Sequence, residues 1–573
     1  TGRLDLEAVV LQGHRAPLPD AAVEALLVEP APRRLVLDAL SLQGHWQLQG
    51  ERWQLRLPDA ALATGGERHA FGEVVGQGEA GAMALAVDRV ALAPLLRLAS
   101  LLDPVPAGLQ DWLWQAAPQG QLQALELTWI DGAPGPGRGR VSGMSFAAVG
   151  SRPGVSGLAG ELAFDGNGGV LALDPGVVAV DWSHAFGEVL HPRIEGSLAA
   201  WRDGGAWGLG SGALRVRGED YGALARVEMR FEPDGGRPWL ALAADVDEAP
   251  VGAANRFWVR HLMPPASVEW LERALVSGTV QGARAVLAGD LDDWPFVAGE
   301  GVFDSEARVA DVELAFSPDW PHATGLSGTA GFTGQGMRLQ TRGSIAGVEV
   351  QQARGGIADW GDAVLDLQAQ GAGNARRMLA LLRASPLQES YGEHLDTLEV
   401  EGGARTRLDL SLPLGRDAPP PLVRGTVDLE GARLADQRWD LEFTQASGRL
   451  RYSQAGVSAE ELSVRYEGEV GSLSLAVGGH TSSEQRLVEA SLRGRFGVAP
   501  LLARVEVLEP LAGRITGDAD MVVGLRVPQL PDGSAGTAML SVRSDLQGVD
   551  LDLPAPLRKR PRGMVAMDDS IIE

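Results

Sequence analysis

The chain has 573 residues, too many for one ordinary core, and its 45% apolar and 22% charged residues are the balance of a sequence that folds as several domains or repeats. A formal net charge of −25 at pH 7 argues against a nucleic-acid partner, because neutralising phosphates needs a basic surface. Cysteine is absent, and Lys559 is the only lysine, which together exclude disulfides, thiolate chemistry, P-loops, protein kinases and Schiff-base enzymes.

The sequence enters folded-type pattern directly at Thr1, with no charged leader and no apolar run of 18 or more residues. It therefore reads as a fragment, with any signal or anchor upstream. Residues 1–84 form an N-terminal β segment: Leu40-Ser41-Leu42-Gln43 and Trp53-Gln54-Leu55-Arg56-Leu57 alternate apolar and polar side chains, the period of a strand with one buried face. Gly76-Gln77-Gly78-Glu79-Ala80-Gly81 matches the dinucleotide pattern G-x-G-x-x-G, but the strand pattern Met83-Ala84-Leu85-Ala86-Val87 follows it where a helix should start, so it is read as a turn.

Residues 85–240 form a first repeat unit with a helix pair near 92–117, and residues 241–365 a second with a helix pair near 250–277. The repeat rests on Pro106, Trp112, Leu113, Ala116 and Gly120, which recur as Pro264, Trp270, Leu271, Ala274 and Gly278 at a constant offset of 158. In the second copy Ser267 reads as the N-cap, Glu269 as a first-turn acid and Gly278 as the helix stop, with Trp270, Leu271, Ala274 and Leu275 on one face. Trp112 and Trp270 are read as packing on their own sheet in preference to anchoring at a lipid interface. Asp165-Gly166-Asn167-Gly168-Gly169 and Asp234-Gly235-Gly236 read as turns between antiparallel strands. The acids Asp290, Asp292 and Asp293 lack EF-hand spacing and read as a solvated turn in preference to a cation site or a catalytic carboxylate pair.

Residues 366–490 form a third unit, whose helical stretch leads to Ser385-Pro386-Leu387, and residues 491–557 an incomplete fourth, leading to Glu509-Pro510-Leu511. Alternation is clearest here, in Thr406-Arg407-Leu408-Asp409-Leu410-Ser411-Leu412 and in Leu473-Ser474-Leu475-Ala476-Val477. Residues 558–573 read as a divergent, disordered tail, and the basic cluster Arg558 to Arg562 as part of it rather than as a contact to anionic lipid. No H-E-x-x-H and no G-x-S-x-G is present, so no catalytic residue, metal site or cofactor is assigned.

The most specific stretch begins at Pro264 and contains Trp270-Leu271, then Gly289-Asp290-Leu291-Asp292-Asp293-Trp294-Pro295-Phe296, Gly301-Val302-Phe303 and Ser317-Pro318-Asp319-Trp320-Pro321. Ser385-Pro386-Leu387, Leu412-Pro413-Leu414, Gly448-Arg449-Leu450 and Leu551-Asp552-Leu553-Pro554-Ala555-Pro556-Leu557 follow in order. This series resembles the central region of the YhdP family, within the AsmA-like, TamB-related group of envelope proteins. The resemblance is strongest over residues 257–557, weaker before residue 85, and lost after Leu557. It implies a mainly β protein: an elongated, repeating antiparallel β-groove, a sheet curled like a taco, with short helical insertions between repeat units. It further implies a non-enzymatic role in outer-membrane permeability, as bridge-like phospholipid transport between the inner and outer membranes of a Gram-negative envelope. The site would be the periplasm, with anchorage in the inner membrane by an N-terminal helix absent from this chain. Phospholipids are the implied partners, and the two membranes would be met through terminal segments that the chain lacks. The alternative reading is a TamB-like periplasmic scaffold for outer-membrane proteins without lipid conduction. A β-helical polysaccharide-active enzyme fits poorly because each strand has one apolar face, and a transmembrane barrel because aromatics are only 5%.

Overall fold

In the computed structural model the chain is described over residues 2–12, 34–99, 101, 107–150, 152–232, 236–386, 388, 395–415, 418–483, 485–503, 509–531, 535–554, 557–561 and 567–572. Among the described residues it is mainly β, with a 33-stranded antiparallel sheet in which consecutive strands pair as a meander. Alternation is the local cause. In the strand Arg52–Thr64, Trp53, Leu55 and Leu57 are half-buried while Arg52, Gln54 and Arg56 between them are exposed. Turn chemistry follows the same logic: the Asp165 carboxylate accepts hydrogen bonds from the Asn167 and Gly168 amides at 2.7 and 3.1 Å, closing the hairpin expected there.

The chain divides into two compact units, one of Thr1–Arg273, Gly278–Arg308 and Gly331–Gly334, the other of Ala274–Ser277, Val309–Ala330 and Gln335–Glu573. The first unit contains β1 (Gly2–Gln12), β2 (Arg34–Gln49), β3 (Arg52–Thr64), β4 (Glu67–Glu79), β5 (Ala82–Ala91), the helices α1 (Leu92–Ala99) and α2 (Ala107–Ala116), and β6 (Gln119–Ile130). It continues with β7 (Gly137–Phe146), β8 (Gly154–Phe164), β9 (Gly168–Val177), β10 (Arg193–Asp203), β11 (Ala206–Ser211) and β12 (Leu214–Arg217) end to end, β13 (Gly222–Phe231), β14 (Trp239–Val246), and all of the helix α3 (Pro265–Ala274) and of β15 (Leu275–Asp290) except Ala274–Ser277. Each strand pairs with the next, β11 and β12 together filling one place between β10 and β13. From β6 to β14 the strand places are therefore even in number, and an even count of antiparallel strands returns the chain to the edge it left. Both helical insertions of this unit emerge from that one edge, here called the helix edge; the tight hairpins after β2, β4, β8 and β10 lie at the opposite, turn edge.

In the second unit a helix Ala375–Arg383 interrupts the meander between Val364–Asn374 and Leu398–Pro413. The helices Val498–Ala503 and Glu509–Ala512 interrupt it again between Arg486–Gly497 and Asp518–Pro528. The Asn374 side chain caps the first of these, accepting from the Arg376 amide at 2.8 Å.

The two aligned stretches share local geometry. The carbonyl at the end of the helix, Ala116 in one copy and Ala274 in the other, accepts from the amide of Ala147 at 2.8 Å and of Ala315 at 2.9 Å. Four residues on, Gly120 and Gly278 have φ of 123° and 122°. Gly402 and Gly517, both at 110°, follow the third and fourth insertions in the same way. Downstream of each lies a residue of positive φ in the next strand or turn: Gly143 (59°), Asp311 (51°), Gly431 (63°) and Gly548 (96°). A Cβ on Gly120 would stand 2.8 Å from Met144 Cα, and one on Gly402 2.8 Å from Ala432 Cα, so these positions need glycine for close approach as well as for φ.

Several local expectations are corrected. The first member of the pair near 250–277 is two short 3₁₀ turns, Val251–Arg256 and Arg260–Leu262. Helix α3 starts at Pro265, whose fixed φ suits the first helical position, so Ser267 is not its cap and Glu269 lies beyond the first turn. It ends at Ala274, and Leu275 and Gly278 belong to β15. Its inward face is buried Val268 and Ala274 with half-buried Leu271, whereas Trp270 is 37% exposed. Where a disordered tail is expected, Lys559 is buried with its amine donating to the carbonyls of Leu546 and Val549, and Met567–Ile572 pairs with Met539–Ser544. Arg562 lies outside the described residues.

Candidate functional site

Pairing register decides which side chains share a face, and in the first unit it aligns the apolar ones in rows that cross the strands. Leu57, Val74, Val87 and Leu125 stand opposite one another on β3 to β6, and Leu55, Gly76, Leu85 and Leu127 form the adjacent row. The face continues through Leu162, Leu171 and Leu198, then Leu209, Met229 and Leu240, with Val227, Leu242 and Leu287 alongside. The reverse face carries the charged side chains, interspersed with exposed apolar ones such as Val75, Val170 and Val286. It carries cross-strand pairs between Arg56 and Glu73, Arg138 and Glu126, Arg140 and Asp174, and Arg284 and Asp245. The Arg138 guanidinium, hydrogen-bonded to Glu126, holds that carboxyl below its ordinary value, and Arg449 does the same to Asp428 in the second unit.

The sheet is curled around its apolar face. Phe71 of β4 and Phe164 of β8 line one concavity, although four strand spacings would separate them by roughly 19 Å on a flat sheet. Its volume is about 530 Å³. Phe71 and Val74 of β4, Leu85, Val87 and Val90 of β5, Leu95 of α1, Leu122, Leu125 and Leu127 of β6, and Leu162 and Phe164 of β8 line it, every one apolar. A bulge shapes it: with Ala124 at φ 48°, Leu122 and Leu125 lie three residues apart and both reach the inner cluster. The result is a trough that can shelter an apolar chain but offers no group for acid–base, nucleophilic or metal chemistry.

In the second unit the corresponding row runs Ala404, Leu429, Gly448, Leu462, Leu473, Leu492, Val523 and Val542. Here the face is filled: Leu462 is fully buried, and Ala375, Met378, Val498 and Leu501 from the helices pack into the same cluster. Phe443 packs tilted on Tyr466 and Tyr466 edge-on to Phe496, at centroid spacings of 5.7 and 5.9 Å. Rows nearer the other strand ends, such as Leu367 with Leu410, stay half-buried.

The residues singled out in the sequence mostly shape turns and helix ends. Trp112 is half-buried and edge-on to Phe146 at 5.3 Å, Leu113 is buried, and Gly120 lies in β6. Pro264 supplies the carbonyl that starts α3, accepting from the Ser267 amide at 2.9 Å. Phe296 is buried at φ 65°, with its ring where Cβ atoms on Gly289 or Gly301 would be, 2.6 Å away in each case. Trp294 packs on Phe296 and on Phe303, both at 5.4 Å, and the Pro295 carbonyl oxygen stands where a Cβ on Gly334 would be. Trp320 leans on Phe316, followed by Pro321, both half-buried. The Ser385 hydroxyl donates to the Leu382 carbonyl at 2.8 Å at the end of its helix, with Pro386 exposed beyond it. Pro413 ends a strand, and the Leu414 amide donates to Ala363 at 2.8 Å. Pro106 and Leu387 lie outside the described residues. None of these lines the concavity. Asp290 accepts from the Asp292 amide at 2.9 Å and Asp292 from the Arg237 amide at 3.0 Å, so these acids tie turns together. Among the described residues no group of three or more His, Cys, Asp or Glu could hold a metal, and no helix is long and apolar enough to cross a membrane. The trough-lining residues carry no distinguishing mark in the sequence; their only local signal is the alternation common to every strand.

An antiparallel sheet of repeating units, curled so that an apolar face lines a trough in the first unit while its reverse face carries cross-strand ion pairs, defines the class of repeating β-groove proteins. The chain belongs to the YhdP family, whose model, described as YhdP protein, matches residues 22–567. It is similar to the intermembrane phospholipid transporter YhdP of Escherichia coli (strain K12), at 25% identity over 338 residues. The match covers 58% of this chain and 26% of that protein, so the chain spans about a quarter of its curated relative's length. No solved structure matches it.

Proposed function

We propose that the chain is a segment of a bridge-like phospholipid conduit in the periplasm of a Gram-negative envelope, holding acyl chains in its trough. The observation that carries this reading is the all-apolar concavity of about 530 Å³ on a sheet whose reverse face is charged. Shielding hydrocarbon from water is worth about 0.8 kcal/mol per CH₂, so such a surface retains lipid without any polar recognition. Membership of the YhdP family, and likeness to a relative named as an intermembrane phospholipid transporter, support the same cargo. Movement along the trough would be diffusive, with energy supplied elsewhere.

The filled face of the second unit favours a second reading, a periplasmic scaffold for outer-membrane proteins, because a scaffold needs packed side chains and no open channel. Native mass spectrometry of the chain purified without detergent from a Gram-negative host separates the two. Phospholipids bound to the folded chain are the expected result; a folded chain free of lipid overturns the conduit and leaves the scaffold.

A further inference from the structure

The trough of the first unit has two unlike lips. At the turn edge of the apolar face, the residues beside successive hairpins are Trp53, Met83, Trp129, Phe164, Trp207 and Phe231. Register places them together: Trp53 and Met83 both stand opposite Gly78, Met83 opposite Trp129, and Trp207 opposite Phe231. At the helix edge the same face ends in aliphatic Val90, Leu122 and Val141, which are buried, and α1 adds Leu95 to the concavity there. Along β5 exposure rises from 7% at Val90 to 40% at Met83, so the floor of the trough is covered at the helix edge and open at the turn edge, while Leu95 of α1 is itself 42% exposed. A cation stands on the open lip: the Arg202 guanidinium lies over the Trp207 ring, 5.7 Å from its centroid, on the same face. Two other tryptophans of this edge, Trp201 and Trp239, are on the outer face, where a Cβ added to Gly210 would lie 3.0 Å from the Trp201 ring.

We infer that the trough is polarised across its width: the turn edge holds the phosphate and glycerol-ester end of a lipid, and the helix edge holds the methyl ends of its acyl chains. Amphipathic rings settle where hydrocarbon meets polar groups, which in a diacyl lipid is the ester region. A guanidinium beside them offers paired donors to a phosphodiester. The span fits, since seven residues from Met83 to Val90 cover roughly 23 Å of strand, against about 15 Å for the hydrocarbon of one leaflet. About 15 Å from Met83 is roughly four to five residues along β5, so tails reaching from the open lip end near Val87, in the part of the concavity that Leu95 of α1 also lines.

This inference rests on the conduit reading, and the test tells their failures apart. A benzophenone amino acid is placed singly at Met83, Phe231, Leu95 and Leu127 of the full chain, which is irradiated in cells before the lipid adducts are fragmented by mass spectrometry. Adducts at Met83 and Phe231 are expected on glycerol and the first acyl carbons, and those at Leu95 towards the methyl end. Adducts with the same distribution at both edges, or with the order reversed, overturn the polarity while leaving the conduit standing. A folded chain with no lipid adduct at any of the four positions, the Leu127 floor included, overturns both. As a second arm, Arg202→Glu is expected to lower co-purified phosphatidylglycerol about fivefold relative to diacylglycerol, the effect of one cation beside an anionic lipid; an unchanged ratio removes Arg202 from the site.

Discussion

Phe296 shows what a single side chain does in this fold. Its ring is 5% exposed and lies against the two glycines that bracket it, Gly289 and Gly301, so the Trp-Pro-Phe turn is pinned by a buried ring where glycine leaves room. Phe296→Ala should cost about 3 kcal/mol locally. Hydrogen exchange at the end of β15 near Gly289 is the suitable readout, because a chain of several units need not unfold in one step; unchanged protection would contradict the pinning role. Glu489 gives a pH dependence. Burial pushes its carboxyl up, but the Ser482 amide and hydroxyl, each donating at 2.7 Å, together with Arg486, pull it down to about 2. A carboxyl lowered on folding contributes stability that is complete above its unfolded value near 4.5 and lost as pH falls towards 2. The gap in denaturation midpoint between the native chain and Glu489→Gln should therefore shrink over that window, and a gap that stays constant from pH 5 to 2 would be the contrary result.

Among elements, the helical insertions and the bulges beside them carry the repeat. Gly402 has φ of 110°, and a Cβ there would meet Ala432 Cα at 2.8 Å. Gly402→Val should destabilise the second unit by several kcal/mol, through both backbone strain and overpacking. Circular dichroism during urea titration would register the loss; a midpoint equal to the native one would mean that the close approach is dispensable. The offset of 158 between Trp112 and Trp270 is enough to locate the insertions in the sequence, because glycine at positive φ and alanine at a close contact are local requirements. Helix boundaries are less legible. Ser267 looks like a cap, yet Pro265 starts the helix, and Gly278 looks like a stop, yet pairing as β15 takes over after Ala274. Trp270 is 37% exposed, whereas Trp112 is half-buried and packs on Phe146.

At the scale of the molecule, each unit solves the same problem differently. The first leaves its apolar rows as an open concavity, while the second fills the row from Ala404 to Leu492 with helix side chains and the rings of Phe443, Tyr466 and Phe496. If the first unit holds lipid, Leu127→Glu and Leu162→Glu, placed in the concavity, should each lower co-purified phospholipid severalfold without changing the circular dichroism of the chain, since a charge among hydrocarbon is costly to both protein and cargo. The control is Arg138→Gln on the outer face, which should leave the lipid unchanged; equal losses from inner and outer substitutions would break the link between the trough and binding. The sequence by itself determined the strand content, the hairpin turns and the repeat, because side-chain alternation of period two, Asx turns and obligatory glycines act over a few residues. Only the tertiary structure decided where the sheet bulges, how it curls and which rows stay open. Ala124, Asp311 and Gln445 adopt positive φ with no local mark, and the approach of Phe71 to Phe164 across four strand spacings follows from pairing register and strand bending summed over many residues. Lys559 makes the same point at the end of the chain, where a basic run that looks solvated is held by carbonyls of a turn that forms only once the strands around it have paired.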